Sequence, residues 1–102
     1  MVLIQVLLPV FDNDSRLFPK SHYETMAAAL TERFGGVTAY TRSPAEGHWK
    51  RGGQPTSRDE IVVMEIMCDD LDRAWWTDYR QHLETIFRQE AVIVRAQEMM
   101  LL

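Results

Sequence analysis

Four apolar segments of the chain have the pattern of β-strands. A nearly unbroken apolar run over Val2–Phe11 predicts the first strand, and the segment Val37–Ser43 predicts the second. The third runs from about Glu60 to Cys68, which is the most apolar stretch of the chain. The fourth covers Ala91 to about Gln97. These strands are separated by one long irregular segment and by two segments of helical pattern.

The first helical segment has apolar residues three or four positions apart, which is the spacing of an amphipathic helix. It starts after Pro19, and Ser21 and Glu24 have the spacing of a capping box at its first turn. The pair Gly35-Gly36 ends it, because glycine readily adopts the left-handed conformation common at helix C-termini.

The second helical segment follows the third strand. Asp69 or Asp70 is expected to cap it, with Asp72 adding negative charge to its first turn. Trp76 and Phe87 are expected on the flank of the helix. The residues expected on its buried face are Leu71, Trp75, Tyr79, Leu83 and Ile86.

The order of elements is therefore βαββαβ, which predicts a single α+β domain over residues 1–102 with the ferredoxin-like fold. Right-handed crossovers place the first and third strands in the centre of a four-stranded antiparallel sheet, with both helices on one face. The 102 residues suffice for one hydrophobic core and are too few for two.

Alternation of side chains along each strand assigns the residues to the two faces of this sheet. The residues expected to face the helices are Ile4, Val6, Leu8, Val37, Ala39, Val62, Met64, Ile66, Val92 and Val94. The opposite, helix-free face is apolar at its margins but also carries the polar side chains Gln5, Tyr40, Arg42, Glu65 and Arg95. A largely apolar open face usually marks an interface or a ligand groove. We expect a second copy of the chain to cover it, since two-fold dimers are the commonest oligomers.

Glu65 is the most conspicuous of these polar residues, because it interrupts the most apolar strand. Burying an unpaired polar group costs about 1–3 kcal/mol, so the carboxylate needs a partner or a task. With Arg42 or Arg95 it would form either a substrate anchor and acid–base group or a buried structural salt bridge that fixes strand register or dimer geometry. Both interpretations stay open. Gln5 is expected beside Glu65, because their strands are adjacent.

Three further side chains are candidates for chemistry. Tyr40 is either a proton donor in a pocket or an aromatic residue with a satisfied hydroxyl. His48 and Trp49 lie in the long Gly- and Pro-rich segment Pro44–Arg58. This segment is either a lid that brings His48 to a ligand or a loop that Trp49 anchors on its own or the partner subunit. The candidate catalytic residues are thus Glu65, His48 and Tyr40, and the candidate ligand-binding residues are Gln5, Tyr40, Arg42, Trp49, Glu65 and Arg95.

No metal site or cofactor is expected. The histidines His22, His48 and His82 match no metal-ligand spacing, and neither a Walker loop nor a dinucleotide-binding glycine motif is present. The single cysteine, Cys68, is expected to be a structural thiol, because nothing near it in the sequence lowers its pKa.

Composition narrows the classes of partner. The formal charge is −4 and basic residues are scattered, which argues against a nucleic-acid partner. No signal peptide or membrane-spanning run is recognisable, so a cytoplasmic protein without membrane contact is expected.

Three stretches carry a resemblance to known proteins: 33–40, 47–49 and 87–94, with the sequences RFGGVTAY, GHW and FRQEAVIV. In them the chain resembles a group of small bacterial proteins of unassigned function. Its architecture is more distantly similar to dimeric α+β barrels, in which two ferredoxin-like sheets pack face to face. That class includes cofactor-free monooxygenases, lactone isomerases, haem-dependent enzymes and proteins without known activity, so the resemblance implies a dimer and transfers no catalytic residue.

Two functions are therefore expected from different classes. The first is a non-enzymatic homodimer that buries its helix-free sheet face and in addition binds a small ligand or a protein. The second is a cofactor-independent enzyme of the barrel class, of monooxygenase or isomerase type, acting on a small aromatic or anionic molecule. A ligand-sized cavity lined by Glu65 or His48 would favour the enzyme.

Overall fold

The structure is a computed structural model, and it describes residues 1–42 and 60–102. The elements are β1 (Val2–Pro9), α1 (Lys20–Phe34), β2 (Thr38–Arg42), β3 (Ile61–Cys68), α2 (Arg73–Ile86) and β4 (Ile93–Glu98). This order confirms the predicted βαββαβ arrangement and the ferredoxin-like fold. No helix in the described ranges is long and apolar enough to cross a bilayer.

The four strands form one antiparallel sheet in the order β2-β3-β1-β4. The two most apolar strands, β1 and β3, occupy the centre, as predicted, and β2 and β4 form the edges. The pairing of β1 with β3 places Gln5 directly opposite Glu65. This register fixes which side chains share a row on each face of the sheet.

The hydrophobic core lies between the sheet and the two helices. Alternate residues of β1 are completely buried, and α1 adds Met26 and Leu30 to the same cluster. The buried residues of the cluster are Ile4, Val6, Leu8, Met26, Leu30, Met64, Ile66, Trp76, Leu83, Phe87 and Val92. Ala39 lies opposite the core residue Met64 and so faces the helices as expected, but it is exposed because it is on the edge strand β2.

The ends of α1 differ in how well the sequence predicted them. Gly35 has φ +85° and its N–H donates to the carbonyl of Thr31, which confirms the glycine C-terminus. The predicted capping box is wrong, because the N-cap position is Pro19 and no side chain caps the helix. Ser21 instead lies inside the helix, one residue after its start.

The start of α2 corrects two further predictions. Asp72, and not Asp69 or Asp70, is the N-cap, and its carboxylate accepts a hydrogen bond from the backbone N–H of Trp75 at 3.1 Å. The roles of the adjacent tryptophans are also reversed: Trp76 is buried at 5% exposure, whereas Trp75 is only half-buried.

At the other end of α2 the buried face is again shifted by one residue from the predicted face. Phe87 is completely buried, although it was expected on the flank, and Ile86 is 36% exposed, although it was expected in the core. Trp76, Leu83 and Phe87 therefore form the stripe that α2 and its C-cap turn towards the sheet, at the spacing of a helical face.

Candidate functional site

One row of side chains on the helix-free face is polar from edge to edge. The strand register aligns Thr38 with Glu65, Glu65 with Gln5, and Gln5 with Arg95. The row therefore crosses β2, β3, β1 and β4 in turn, with an acidic residue on one side of Gln5 and a basic residue on the other. We call these four residues the polar row.

The rows on either side of the polar row are largely apolar. One consists of Tyr40, Val63, Leu7 and Ile93, and the other of Met67, Leu3 and Gln97. Val63 is only 1% exposed, whereas Ile93 is 56% exposed and Met67 is 50% exposed. The face thus presents accessible apolar side chains on both sides of a central polar strip.

Two side-chain hydrogen bonds organise the polar row. The Tyr40 hydroxyl donates to Oε1 of Glu65, and Nε of Arg95 donates to Oε1 of Gln5 at 2.8 Å. Each charged group is thus held by a neutral neighbour. Within the part of the chain that the structure describes, Glu65 Oε2 and the two Nη groups of Arg95 take no part in a hydrogen bond or ion pair.

This arrangement differs from the pairing that the sequence suggested. No ion pair joins Glu65 to Arg95 among residues 1–42 and 60–102. Gln5 lies beside Glu65 as expected, but the hydrogen bond of its side-chain oxygen comes from Arg95. Tyr40 has a bonded hydroxyl, as the structural interpretation of this residue requires, and its bond is to the candidate acid–base group.

Three candidate residues lie partly or wholly outside the residues that the structure describes. Only the backbone of Arg42 is among the described parts of the chain; it ends β2 and pairs with Ile61. His48 and Trp49 lie outside the described residues. Their proposed roles, and the choice between a lid and an anchor for the long loop, stay predictions.

Three surface cavities are lined entirely by described residues, and none of these three includes Glu65. One of about 280 Å³ lies between β4 and the start of α2, and one of about 400 Å³ lies beside Asp69 and Asp70. The third, of about 230 Å³, is a groove between α1 and α2 that has both His22 and His82 in its wall. Of the polar row, Arg95 lines the cavity of about 280 Å³, whereas Thr38, Glu65 and Gln5 line none of these three.

The sequence makes a metal site shared by His22 and His82 improbable; in the structure both residues are in the wall of this groove. No group of three or more potential metal ligands is present among the described residues. Their place in the wall of one groove depends on how α1 and α2 pack side by side, which the sequence alone does not give.

Cys68 has the environment of a structural thiol. Burial raises its pKa above the ordinary value, and the carboxylates of Asp69 and Asp70 raise it further against a smaller opposing effect of the N-terminal ammonium. The thiol donates a hydrogen bond to the carbonyl of Asp70 at 3.3 Å. Because a nucleophilic cysteine needs a lowered pKa, this geometry agrees with the structural interpretation.

The fold is shared with a phage SAM lyase. The structure of that lyase in complex with S-methyl-5′-thioadenosine matches 95% of this chain and 80% of its own, with a TM-score of 0.58 and 19% sequence identity. The apo structure matches 95% of this chain and 79% of its own, with a TM-score of 0.59 and 18% identity. At such identity the likeness shows the fold alone. No family model and no curated protein matches the chain.

Proposed function

We propose that two copies of the chain associate through their helix-free sheet faces and that the polar row forms a small-molecule site between them. The observation that carries this proposal is the exposed apolar surface beside the polar row, with Ile93 at 56% and Met67 at 50% exposure. An isoleucine on a half-buried sheet surface gains free energy when a second surface removes it from water.

Charge also favours a symmetric partner. In a two-fold interface the same surface of both copies is in contact: if residue i of one copy contacts residue j of the other, then j of the first contacts i of the second. The face must therefore be complementary to itself. The polar row carries one acidic and one basic residue, Glu65 and Arg95, and is therefore not repelled by its own copy. A row of two like charges would oppose such an assembly.

Light scattering tests the association, with a matched pair of variants. We expect Ile93→Lys to make the protein monomeric, because it places a charge in the apolar part of the interface. Ile86→Lys makes the same chemical change at an exposed position of α2, on the opposite side of the sheet. It should leave the molar mass unchanged. Equal effects of the two substitutions would contradict the proposed interface.

A second candidate function is an enzyme that acts on S-adenosylmethionine or a related sulfonium compound. Two observations favour it: the match of a SAM lyase over 95% of this chain, and a carboxylate, Glu65, held by Tyr40 on an open face. A carboxylate attracts the positively charged sulfonium. The carboxylate of the substrate's own aminobutyrate group would attack the carbon bonded to that sulfur and close a lactone. The carbon–sulfur bond breaks in the same step, and its electron pair stays on sulfur, which becomes a neutral thioether.

Incubation with S-adenosylmethionine followed by chromatography tests this candidate. The expected result is S-methyl-5′-thioadenosine formed in proportion to protein, with a large loss in Glu65→Gln. Glu98→Gln, on the helix-facing side of β4, serves as the matched control. The absence of product from wild-type protein at high concentration would rule out this second candidate. A cytoplasmic location stays a prediction from the sequence.

A further inference from the structure

Glu65 and Arg95 have opposite charges, share one row and are not paired with each other. They flank Gln5, which occupies the central strand β1 between them. Each is oriented by a neutral neighbour, Tyr40 for the carboxylate and Gln5 for the guanidinium. The row therefore presents a fixed pair of separated charges on a face where neither neutralises the other.

We infer that the polar row binds the head group of an amino acid, with the ammonium on Glu65 and the carboxylate on Arg95. This inference rests on the proposed small-molecule site and specifies its ligand. The ammonium would donate to Oε2 of Glu65, the oxygen that Tyr40 does not use. The ligand carboxylate would accept from the Nη groups of Arg95, since its Nε is occupied by Gln5.

The spacing of the strands limits the length of the ligand. Neighbouring strands are about 4.8 Å apart, so the Glu65 and Arg95 backbones, two strands apart, are separated by about 10 Å. Two hydrogen bonds of about 2.9 Å then leave roughly 4 Å between the charged groups of the ligand when the side chains extend in parallel. An α-amino acid, whose ammonium and carboxylate are separated by one carbon, fits this gap better than a long zwitterion does.

The uncharged middle of the row suits the same ligand. Gln5 accepts from Arg95 through its oxygen, which orients its NH₂ group away from that bond and makes it available to a second acceptor. The apolar rows on either side would contact whatever side chain the amino acid carries. S-adenosylmethionine carries the same head group and so belongs to this class of ligand.

The test compares methionine with two derivatives that each lack one charge and with a longer zwitterion. L-methionine, N-acetyl-L-methionine, L-methionine amide and 6-aminohexanoate are titrated separately into the full chain, with NMR chemical shifts as the measure of binding. The expected result is saturable binding of methionine. Each blocked derivative should bind at least about tenfold more weakly than methionine, since each loses one charged hydrogen bond. The longer zwitterion should also bind more weakly than methionine.

Variants separate recognition from a structural role. In Glu65→Gln the preference for methionine over its N-acetyl derivative should disappear, and in Arg95→Gln the preference over the amide should disappear. Glu98→Gln should keep both preferences. A merely structural Glu65 or Arg95 would change stability without changing which derivative is preferred.

Equal binding of all four compounds, or unchanged preferences in both variants, would overturn the inference. So would a structure of the assembly in which Glu65 pairs with Arg95 of the second copy. Light scattering on the same samples keeps the two proposals distinguishable. A monomer that still prefers methionine would support the amino-acid site and contradict the dimer, whereas a dimer without ligand preference would do the reverse.

Discussion

Tyr40 donates a hydrogen bond to Glu65 from the neighbouring row of the sheet. Their strands are adjacent, and the two residues are diagonal neighbours, because Thr38 lies directly opposite Glu65 and Tyr40 lies two positions further along β2. The bond holds one oxygen of the only carboxylate in the polar row. It therefore decides which oxygen is left to meet a ligand or a second subunit.

A double-mutant cycle should detect this bond as a coupling between Tyr40→Phe and Glu65→Gln. We expect each single substitution to lower the free energy of unfolding by about 1 kcal/mol or less, and the coupling to be about 0.5 kcal/mol or more. Urea unfolding measures it. A parallel cycle of Tyr40→Phe with Arg95→Gln should be additive, because Arg95 bonds to Gln5 and not to Glu65. Additivity in the first cycle would contradict the bond.

Two adjacent glycines make a matched test of the α1 terminus. Gly35 has φ +85°, where a side chain is strained, and neither Gly35 nor Gly36 has an atom within 4 Å of the position of an added Cβ. We expect Gly35→Ala to cost about 1 kcal/mol of unfolding free energy and Gly36→Ala to cost little. Thermal unfolding compares the two. Equal destabilisation would show that the backbone conformation of Gly35 is not the cause.

Removal of the α2 cap should destabilise the fold. Asp72 accepts from the Trp75 N–H and also lies 3.7 Å from Arg33 of α1. The ion pair is exposed and adds little, so the cap should dominate a loss of about 1 kcal/mol in Asp72→Ala. Asp69→Ala removes an acidic residue from the same connection without removing a cap. Urea unfolding should separate the two variants, and an equal loss in Asp69→Ala would contradict the assignment of Asp72.

Stability should decrease at alkaline pH. Burial raises the pKa of Tyr23 above its ordinary value of 10.0, and its hydroxyl donates to the carbonyl of Pro9 at 2.6 Å. A raised pKa in the folded state means that the folded protein retains the phenol proton more tightly than the unfolded chain. The contribution is fully present below about pH 10 and is lost as the pH rises through the higher folded value.

Urea unfolding between pH 8 and 11 tests this prediction for Tyr23. The free energy of unfolding of Tyr23→Phe should fall less steeply above pH 10 than that of the wild type. Tyr79, whose pKa burial also raises, should retain its own contribution in that variant. Identical slopes in the two proteins would contradict the role of Tyr23.

The sequence predicted the faces of the sheet better than it predicted the faces of the helices. Alternation and right-handed crossovers were enough to place Gln5 beside Glu65 on the helix-free face, because a two-residue period leaves no intermediate orientation. Trp75 and Trp76 are both aromatic and lie about 100° apart around the helix, so the pattern alone could not decide which points inward. In the structure, the helix that begins at the Asp72 cap is oriented so that Trp76 points into the core.

The hydrogen-bond partner of Glu65 was beyond the sequence for a different reason. Alternation assigns side chains to a face but does not choose among the several neighbours that each can reach. Arg95 bonds to its direct neighbour Gln5, and the carboxylate of Glu65 bonds to the diagonal neighbour Tyr40. Strand register and side-chain conformation were both needed to find these pairs.

The molar mass of the wild-type protein in solution tests the central claim most directly. Light scattering at micromolar concentration should give about twice the 11.9 kDa of one chain, and the value should fall to one chain in Ile93→Lys but not in Ile86→Lys. A wild-type mass of 11.9 kDa across the whole micromolar range would contradict the claim that a second copy covers the helix-free face.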